Sequence, residues 1–419
     1  MKKIFLFAMT AATMLFTACG NDDAFVAEND GVQEITLSVE NAGSGMKTRA
    51  GRELQSSEAK QAIQNVVVIV TNSSNEIVKK VTFNDWQGAD AEAYTSGGHG
   101  RQTKITFHGA ERLANGTYNI YAIGYTNGTE YKVGVTNLAT HLSGLTAGNT
   151  FNANLGISID HEYAEEIFAG AKAWSVTGSG SKETVVLHRQ VAGVFVYAKQ
   201  IPFITGAAKL SLYAVDNHPS LTLGQFAPAA DLANNGGNTD NKVVNGYGTA
   251  VNTKVMSVAL ADWFTSVAED ANHLVDATKW ISTGHENCVR GSVFMGKFII
   301  PFVKGASDTF VLKLEDSSNA ELRNWKIKLP AGEVATGTYY YWDNGTTAWA
   351  NATASDNQSA YSVFRNHLYG IGSKANNDRN NPDDPEVPDT DEPQSLDTKQ
   401  DLFLKVNDNW EVIHTMEIE

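Results

Sequence analysis

The stretch that decides the fold is VQEITLSVE, residues 32–40, in which Ile35, Leu37 and Val39 alternate with Thr36, Ser38 and Glu40. Strict alternation has the period of an extended chain and gives one apolar and one polar face, the mark of a half-buried β-strand. Working outward, residues 66–70 (VVVIV) are continuously apolar, as in a strand covered on both faces. Further strands are expected at 105–107 and at 118–125 (YNIYAIGY), the latter after the turn signal Asn115-Gly116. A second set opens at 184–187 and runs through 191–197, 209–215, 293–302, 309–314 and 362–369. The Gly/Asn/Ala-rich region 220–275 reads as a long loop excursion with one short helix at 258–264. Helical periodicity is otherwise scarce. The sequence therefore predicts an all-β chain of two tandem β-sandwich domains, 50–182 and 183–375, meeting near residue 182.

The chain has 419 residues, 42% of them hydrophobic, and a formal net charge of −15. Two domains and a tail fit that length. The negative charge argues against nucleic acid and against an anionic membrane surface as partners.

Residues 1–19 read as a targeting segment. Lys2 and Lys3 precede a short apolar run, too short to span a bilayer, and then comes Phe16-Thr17-Ala18-Cys19. That stretch resembles the lipobox of bacterial lipoproteins, which implies acylation of Cys19. Asn21-Asp22-Asp23 resembles the acidic signal that sends such proteins of Bacteroidetes to the cell surface. The other cysteine is Cys288, so a lipidated Cys19 leaves it without a partner in the chain. Stability then has to come from packing and strand pairing.

Beyond Gly372 the composition changes. Residues 376–400 form a Pro/Asp-rich linker; four of the nine prolines lie in 382–393. Proline and like-charge repulsion favour an extended chain, which at about 3.1 Å per residue would span roughly 75 Å. The last nineteen residues, 401–419, turn apolar again, with Leu402, Leu404, Val406, Trp410, Val412, Met416 and Ile418 at even positions. A strand needs a neighbour for its backbone N–H and C=O groups, and this one follows a stretch that cannot fold by itself.

Constellations that carry chemistry are incomplete. His161-Glu162 begins a zincin motif, but Glu165 stands where the second histidine is required. His285 and Cys288 form one ligand pair without a second, and Gly178-Ser179-Gly180-Ser181-Lys182 lacks phosphate-loop spacing. The acidic tail has no calcium loop. The eight tryptophans are scattered, as core residues are. No catalytic residue, cofactor or metal is expected, and the chain does not read as an enzyme.

Three features ask for one mechanical explanation: an amphipathic strand at 32–40, a basic stretch after it (Lys47, Arg49, Arg52), and an apolar tail on a leash. Cleavage between Arg49 and Ala50 would free the propeptide, 20–49, with its strand. The groove it leaves would accept a strand from another molecule, which is β-augmentation. Burying seven tail side chains gives an upper bound of order 10–20 kcal/mol.

With these residues in view, the chain resembles the fimbrillins, the major fimbrial subunits (type V pilins) of Bacteroidales. The resemblance spans the lipobox, Thr48-Arg49-Ala50, Gly116 to Ile123, Leu187-His188-Arg189, Val363 to Tyr369 (VFRNHLY), the Pro/Asp linker and the closing Trp410 to Glu419. It implies transthyretin-like sandwiches, an Arg-specific protease as processing partner, an outer-membrane lipoprotein precursor, and a homopolymer with accessory fimbrial subunits. The tail residues would be the donor and Ile35, Leu37 and Val39 the displaced strand. Asn409 stands where family tails often carry proline. A stalk subunit is the role expected; the alternatives are a surface glycan-binding lipoprotein and a fimbrial tip or anchor subunit.

Overall fold

A computed structural model describes residues 33–39, 63–93, 101–160, 164–178, 180–223, 243–286, 288–303, 309–328, 337–354, 362–373, 391–397 and 402–407. The chain is all-β. Its strands form sheets of eight, nine, five and three members, and the helices Leu138–Gly144 and Leu260–Trp263 are short.

The eight-stranded sheet runs in the order Ile77–Phe83, Asn65–Asn72, Gly116–Tyr125, Ile167–Val176, Ser181–Arg189, Gln33–Val39, Arg101–Phe107, Glu92–Ala93. It turns over on itself where Ile167–Val176 meets Ser181–Arg189, because those two strands pair only at Phe168 with Arg189 and Ala169 with His188. The halves then face each other. Val66, Val68, Val70 and Ile120 from one half share a core with Ile35, Leu37, Ile105, Val185 and Leu187 from the other. Gly170 sits at the fold-over, where a Cβ would lie 2.0 Å from the Val186 carbonyl oxygen. Only glycine permits that approach.

The opposite face of the VVVIV strand is covered too. Val67 and Ile69, with Tyr121 and Ile123, pack beneath Leu138 and Leu142 of the first helix and against Ile157 and Leu221 of the five-stranded sheet. A strand buried on both faces has no polar side to alternate, which is why its sequence is a continuous apolar run.

The nine-stranded sheet runs Val251–Ala259, Ala207–Asn217, Phe310–Asp316, Glu321–Lys328, Leu402–Asn407, Leu368–Ile371, Ala192–Lys199, Ser292–Ile299, with Gln394–Ser395 attached beside Ala192–Lys199. Leu210, Leu212, Leu312, Leu314, Val194, Val196 and Phe302 are fully buried in its core.

Two expectations change here. Part of the anticipated loop excursion, Val251–Ala259, is a strand paired with Lys209 to Asn217. Its alternation is broken by a register shift between Leu212 and Tyr213, which leaves the successive residues Val255 and Met256 both buried. Second, Ser181–Arg189 belongs to the first sheet, so the change of sheet falls at Gln190 and Val191 rather than near 182. Two β-runs separated by two residues give no composition signal at their junction.

Candidate functional site

The leading strand, Gln33–Val39, lies inside the first sheet. It runs parallel to Ser181–Arg189, with Gln33 opposite Ser181 through Val39 opposite Leu187. On its other side it runs antiparallel to Arg101–Phe107, with Gln33 opposite Phe107 through Ser38 opposite Gln102. Ile35 and Leu37 are fully buried in the core. Gln33 is also buried; its side-chain amide donates to the Leu113 carbonyl at 2.9 Å, and its Oε1 accepts from the Leu113 N–H at 2.8 Å. Val39 belongs to the strand by its backbone pairing. Ile35 and Leu37 thus face the core, as their alternation predicts.

The trailing strand, Leu402–Asn407, lies inside the second sheet of its own chain. Leu402 and Phe403 run parallel beside Ile327 and Lys328, while Leu404 to Asn407 run antiparallel beside Ile371 to Leu368. This segment joins the Glu321–Lys328 half of the sheet to the Leu368–Ile371 half. Leu402, Leu404 and Val406 thus stand in a strand paired intramolecularly. Trp410, Val412, Met416 and Ile418 lie outside the described residues, as do Cys19, Arg49 and Ala50.

The chain leading into the trailing strand is docked in part. Ser373 and Glu392 exchange two backbone hydrogen bonds of 3.0 and 2.9 Å, and the Leu396 N–H donates to the Lys199 carbonyl at 3.0 Å. Leu396 is fully buried in the second core. Tyr197 donates its phenol hydrogen to Asp391 at 2.8 Å and accepts from the Val289 N–H at 2.7 Å. Burial, with the Asp391 carboxylate as a lesser cause, pushes the Tyr197 phenol far above its ordinary range. The expected linker 376–400 therefore ends in a docked segment at 391–397. Burial of Leu396 and the hydrogen bonds at Glu392, Leu396 and Asp391 act together against the ordering cost of this segment.

Aligned by position, the two strands read alike: Ile35-Thr-Leu37-Ser-Val39 against Leu402-Phe-Leu404-Lys-Val406. Each puts branched aliphatic residues at three alternate positions, and each sits between one parallel and one antiparallel neighbour. A site that accepts the first has the spacing to accept the second.

Between the two positions lies a buried polar joint that the sequence did not disclose. Arg189, the last residue of Ser181–Arg189, donates through Nε (2.9 Å) and Nη2 (2.8 Å) to Glu166 Oε1 and through Nη1 to Asn366 Oδ1 at 2.9 Å. The three residues are 4%, 4% and 3% exposed. The guanidinium also lies 5.0 Å from the Phe168 ring centroid. Asn366 adopts a left-handed φ of 56°, and its N–H donates to the Val191 carbonyl at 2.9 Å. The motifs Leu187-His188-Arg189 and VFRNHLY hold two of its three residues, Arg189 and Asn366. Their charge inside apolar runs was the available signal.

Among the described residues, no three His, Cys, Asp or Glu side chains gather as a metal site. His285 stacks on Trp263 with ring centroids 3.7 Å apart. His161 and Glu162 lie outside the described residues, and the Glu165 carbonyl accepts from the buried Tyr131 hydroxyl. No described helix is long and apolar enough to cross a membrane.

No protein-family model and no curated protein matches the chain. Solved structures do align with it. The fimbrial anchor protein Mfa2 from Porphyromonas gingivalis aligns at 9% identity over 80% of this chain and 99% of its own, with a TM-score of 0.35. The tip fimbrial protein Mfa3 from the same organism, with a C-terminal truncation, aligns at 11% identity over 81% and 93%, with a TM-score of 0.36. A fimbrial assembly protein from Parabacteroides distasonis aligns at 10% identity over 77% and 98%, with a TM-score of 0.33. Values this low do not establish a shared activity.

Proposed function

We propose that the chain is a structural fimbrial subunit that polymerises by strand exchange. The observation that carries this reading is the position of the leading strand. It is an interior strand with Ile35 and Leu37 fully buried, and its connection to the next strand passes through 40–62, which contains Arg49 and Arg52. Cleavage in that connection turns a covalently tethered strand into a ligand of its own groove. The tether's high effective concentration is then lost. The vacated groove presents unpaired backbone to both sides and the apolar floor of the first core.

The donor is the tail of a neighbouring molecule, with Leu402, Leu404 and Val406 taking the places of Ile35, Leu37 and Val39. Trp410 and the residues after it extend the contact. Export as a lipoprotein through Cys19, processing by an Arg-specific protease, and a fibre at the cell surface complete the scheme. A molecule with both a removable strand and a tail can be gripped at both ends, which is the requirement for a stalk subunit. The fimbrial proteins named above are of the kind this reading expects, at a similarity too low to weigh for it.

The test is limited digestion of the purified full chain with an arginine-specific protease, followed by gel electrophoresis in SDS without boiling. The intact chain is expected to remain monomeric and the cut chain to form SDS-resistant ladders. A chain carrying both Arg49→Ala and Arg52→Ala is expected to form none. Ladders from that double variant, or cut chain that stays monomeric at every concentration, would sink the proposal. A glycan-binding lipoprotein would give no ladder in either case.

A further inference from the structure

We infer that Arg189, with Glu166 and Asn366, is a positioning joint that couples the two exchange positions of one molecule, so that loosening the leading strand also loosens the trailing strand. The inference deepens the strand-exchange reading and rests on it for its use.

The argument starts from how Ser181–Arg189 is held. Along Ser181 to Leu187 its backbone pairs with the leading strand, and its other ladder, to Ile167–Val176, is confined to His188 and Arg189. When the leading strand leaves, this strand keeps its sheet pairing only at its last two residues. Arg189 is then the pivot on which it turns.

The same side chain reaches across to the second sheet. Asn366, which accepts from Arg189 Nη1, comes two residues before Leu368–Ile371, the strand that pairs with Leu404 to Asn407 of the tail. His367 between them is fixed as well, its carbonyl accepting from the Gly193 N–H at 2.9 Å. From leading to trailing strand the contacts are therefore continuous: leading strand, Ser181–Arg189, guanidinium, Asn366, Leu368–Ile371, trailing strand. None of these steps crosses a long loop.

The joint is also poorly suited to small adjustments. A buried ion pair with a fixed guanidinium fork has few alternative geometries, and an unpaired charge in that environment is costly. Asn366 holds a backbone conformation that residues other than glycine adopt at a cost, so contacts have to keep it there. A turn of Arg189 consequently disturbs the start of Leu368–Ile371 rather than being absorbed locally. Subunits whose leading strand is in place keep their own tail docked; subunits that have lost it release the tail for a neighbour. This would bar uncut molecules from acting as donors.

The coupling is measurable in the uncut full chain by native-state hydrogen exchange of the amides in 33–39 and 402–407. Leu37→Ala is expected to speed exchange in 402–407 by about tenfold. Leu404→Pro, which removes a backbone N–H from the trailing strand, is expected to speed exchange in 33–39 as well, because coupling between sites acts in both directions. Asn366→Gly keeps the left-handed backbone available while deleting the acceptor. In that background each substitution should still act on its own strand and lose its effect on the other. Arg189→Lys leaves a cation beside Glu166 without the fork and should decouple the strands in the same way, so the outcome does not hang on one variant folding. The inference is overturned if the accelerations stay within the substituted strand, or if they cross equally well in the Asn366→Gly background. Because the uncut chain is used, a protein that shows the coupling but never polymerises would remove the functional reading alone. Ladders without coupling would remove the joint alone.

Discussion

The leading and trailing strands occupy similar positions and are held very differently. Each lies inside its sheet between a parallel and an antiparallel neighbour. In the leading strand every residue from Gln33 to Ser38 has a partner on both sides. In the trailing strand the pairing is staggered, with Leu402 and Phe403 paired on one side and Leu404 to Asn407 on the other. A doubly paired strand over a closed core leaves only after a covalent cut removes its tether. A strand paired on one side at a time opens at lower free energy, as segments with few ladder bonds do. The difference matches two roles, a strand that must be cut away and a strand that must be lent.

The strongest test of this contrast is at the joint between the two positions. Arg189→Met leaves Glu166 buried without its cation and is expected to cost about 3–5 kcal/mol of stability. Chemical denaturation followed by near-UV circular dichroism gives the value. A loss below about 1 kcal/mol would show that Glu166 does not depend on this cation, and the joint would lose its importance.

Next in size is Leu37→Ala in the leading strand, expected to destabilise by about 2–5 kcal/mol, because the side chain is fully buried and its neighbours are held by sheet on both sides. The loss should appear in the global denaturation midpoint.

Removing the trailing segment should matter less. A chain ending at Asp401 is expected to stay folded and to lose no more than about 2 kcal/mol. Each hydrogen bond contributes on the order of 1 kcal/mol net, against an ordering cost of about 1–2 kcal/mol per residue. The chain should still accept a donor after cleavage and offer none, so it should shorten polymers when mixed with the intact chain. If this truncation costs more than Leu37→Ala, the contrast between the two strands is inverted.

The smallest effect concerns pH. The Tyr197 phenol is pushed up on folding, chiefly by burial. A group whose pKa is raised on folding contributes stability that is complete below its unfolded value, about 10 for tyrosine, and is lost as pH rises beyond it. Tyr197→Phe should therefore lose stability less steeply than the parent chain above about pH 10. Tyr131, buried and likewise raised, keeps part of the slope in both proteins. Equal slopes would mean that folding does not raise the Tyr197 phenol.

Much of this was legible from local pattern. Ile35, Leu37 and Val39 announce a strand with one buried face, and 66–70 announces a strand with two. The tail's even-numbered apolar residues announce strand within 401–419, of which the structure describes Leu402–Asn407. Arg189, Glu166 and Asn366 were not legible as a set, since 177 residues separate Arg189 from Asn366. Leu396 lies within a stretch whose composition argues for no fold at all, and its pocket is built by strands from elsewhere. Val251–Ala259 does not alternate, because a register shift puts the successive residues Val255 and Met256 in the core.

The sequence by itself determined the all-β class, the strand cores and the alternation that fixes which face each strand buries, because these follow from side-chain periodicity along a few consecutive residues. Only the tertiary structure decided that the leading strand lies between Ser181–Arg189 and Arg101–Phe107, that the trailing strand pairs within its own chain, and that a single guanidinium spans from one sheet to the other. Strand partners are chosen by backbone hydrogen bonds, which every residue but proline can donate. The sequence therefore carries little record of which strand lies beside which, and the choice is settled by packing across the whole chain.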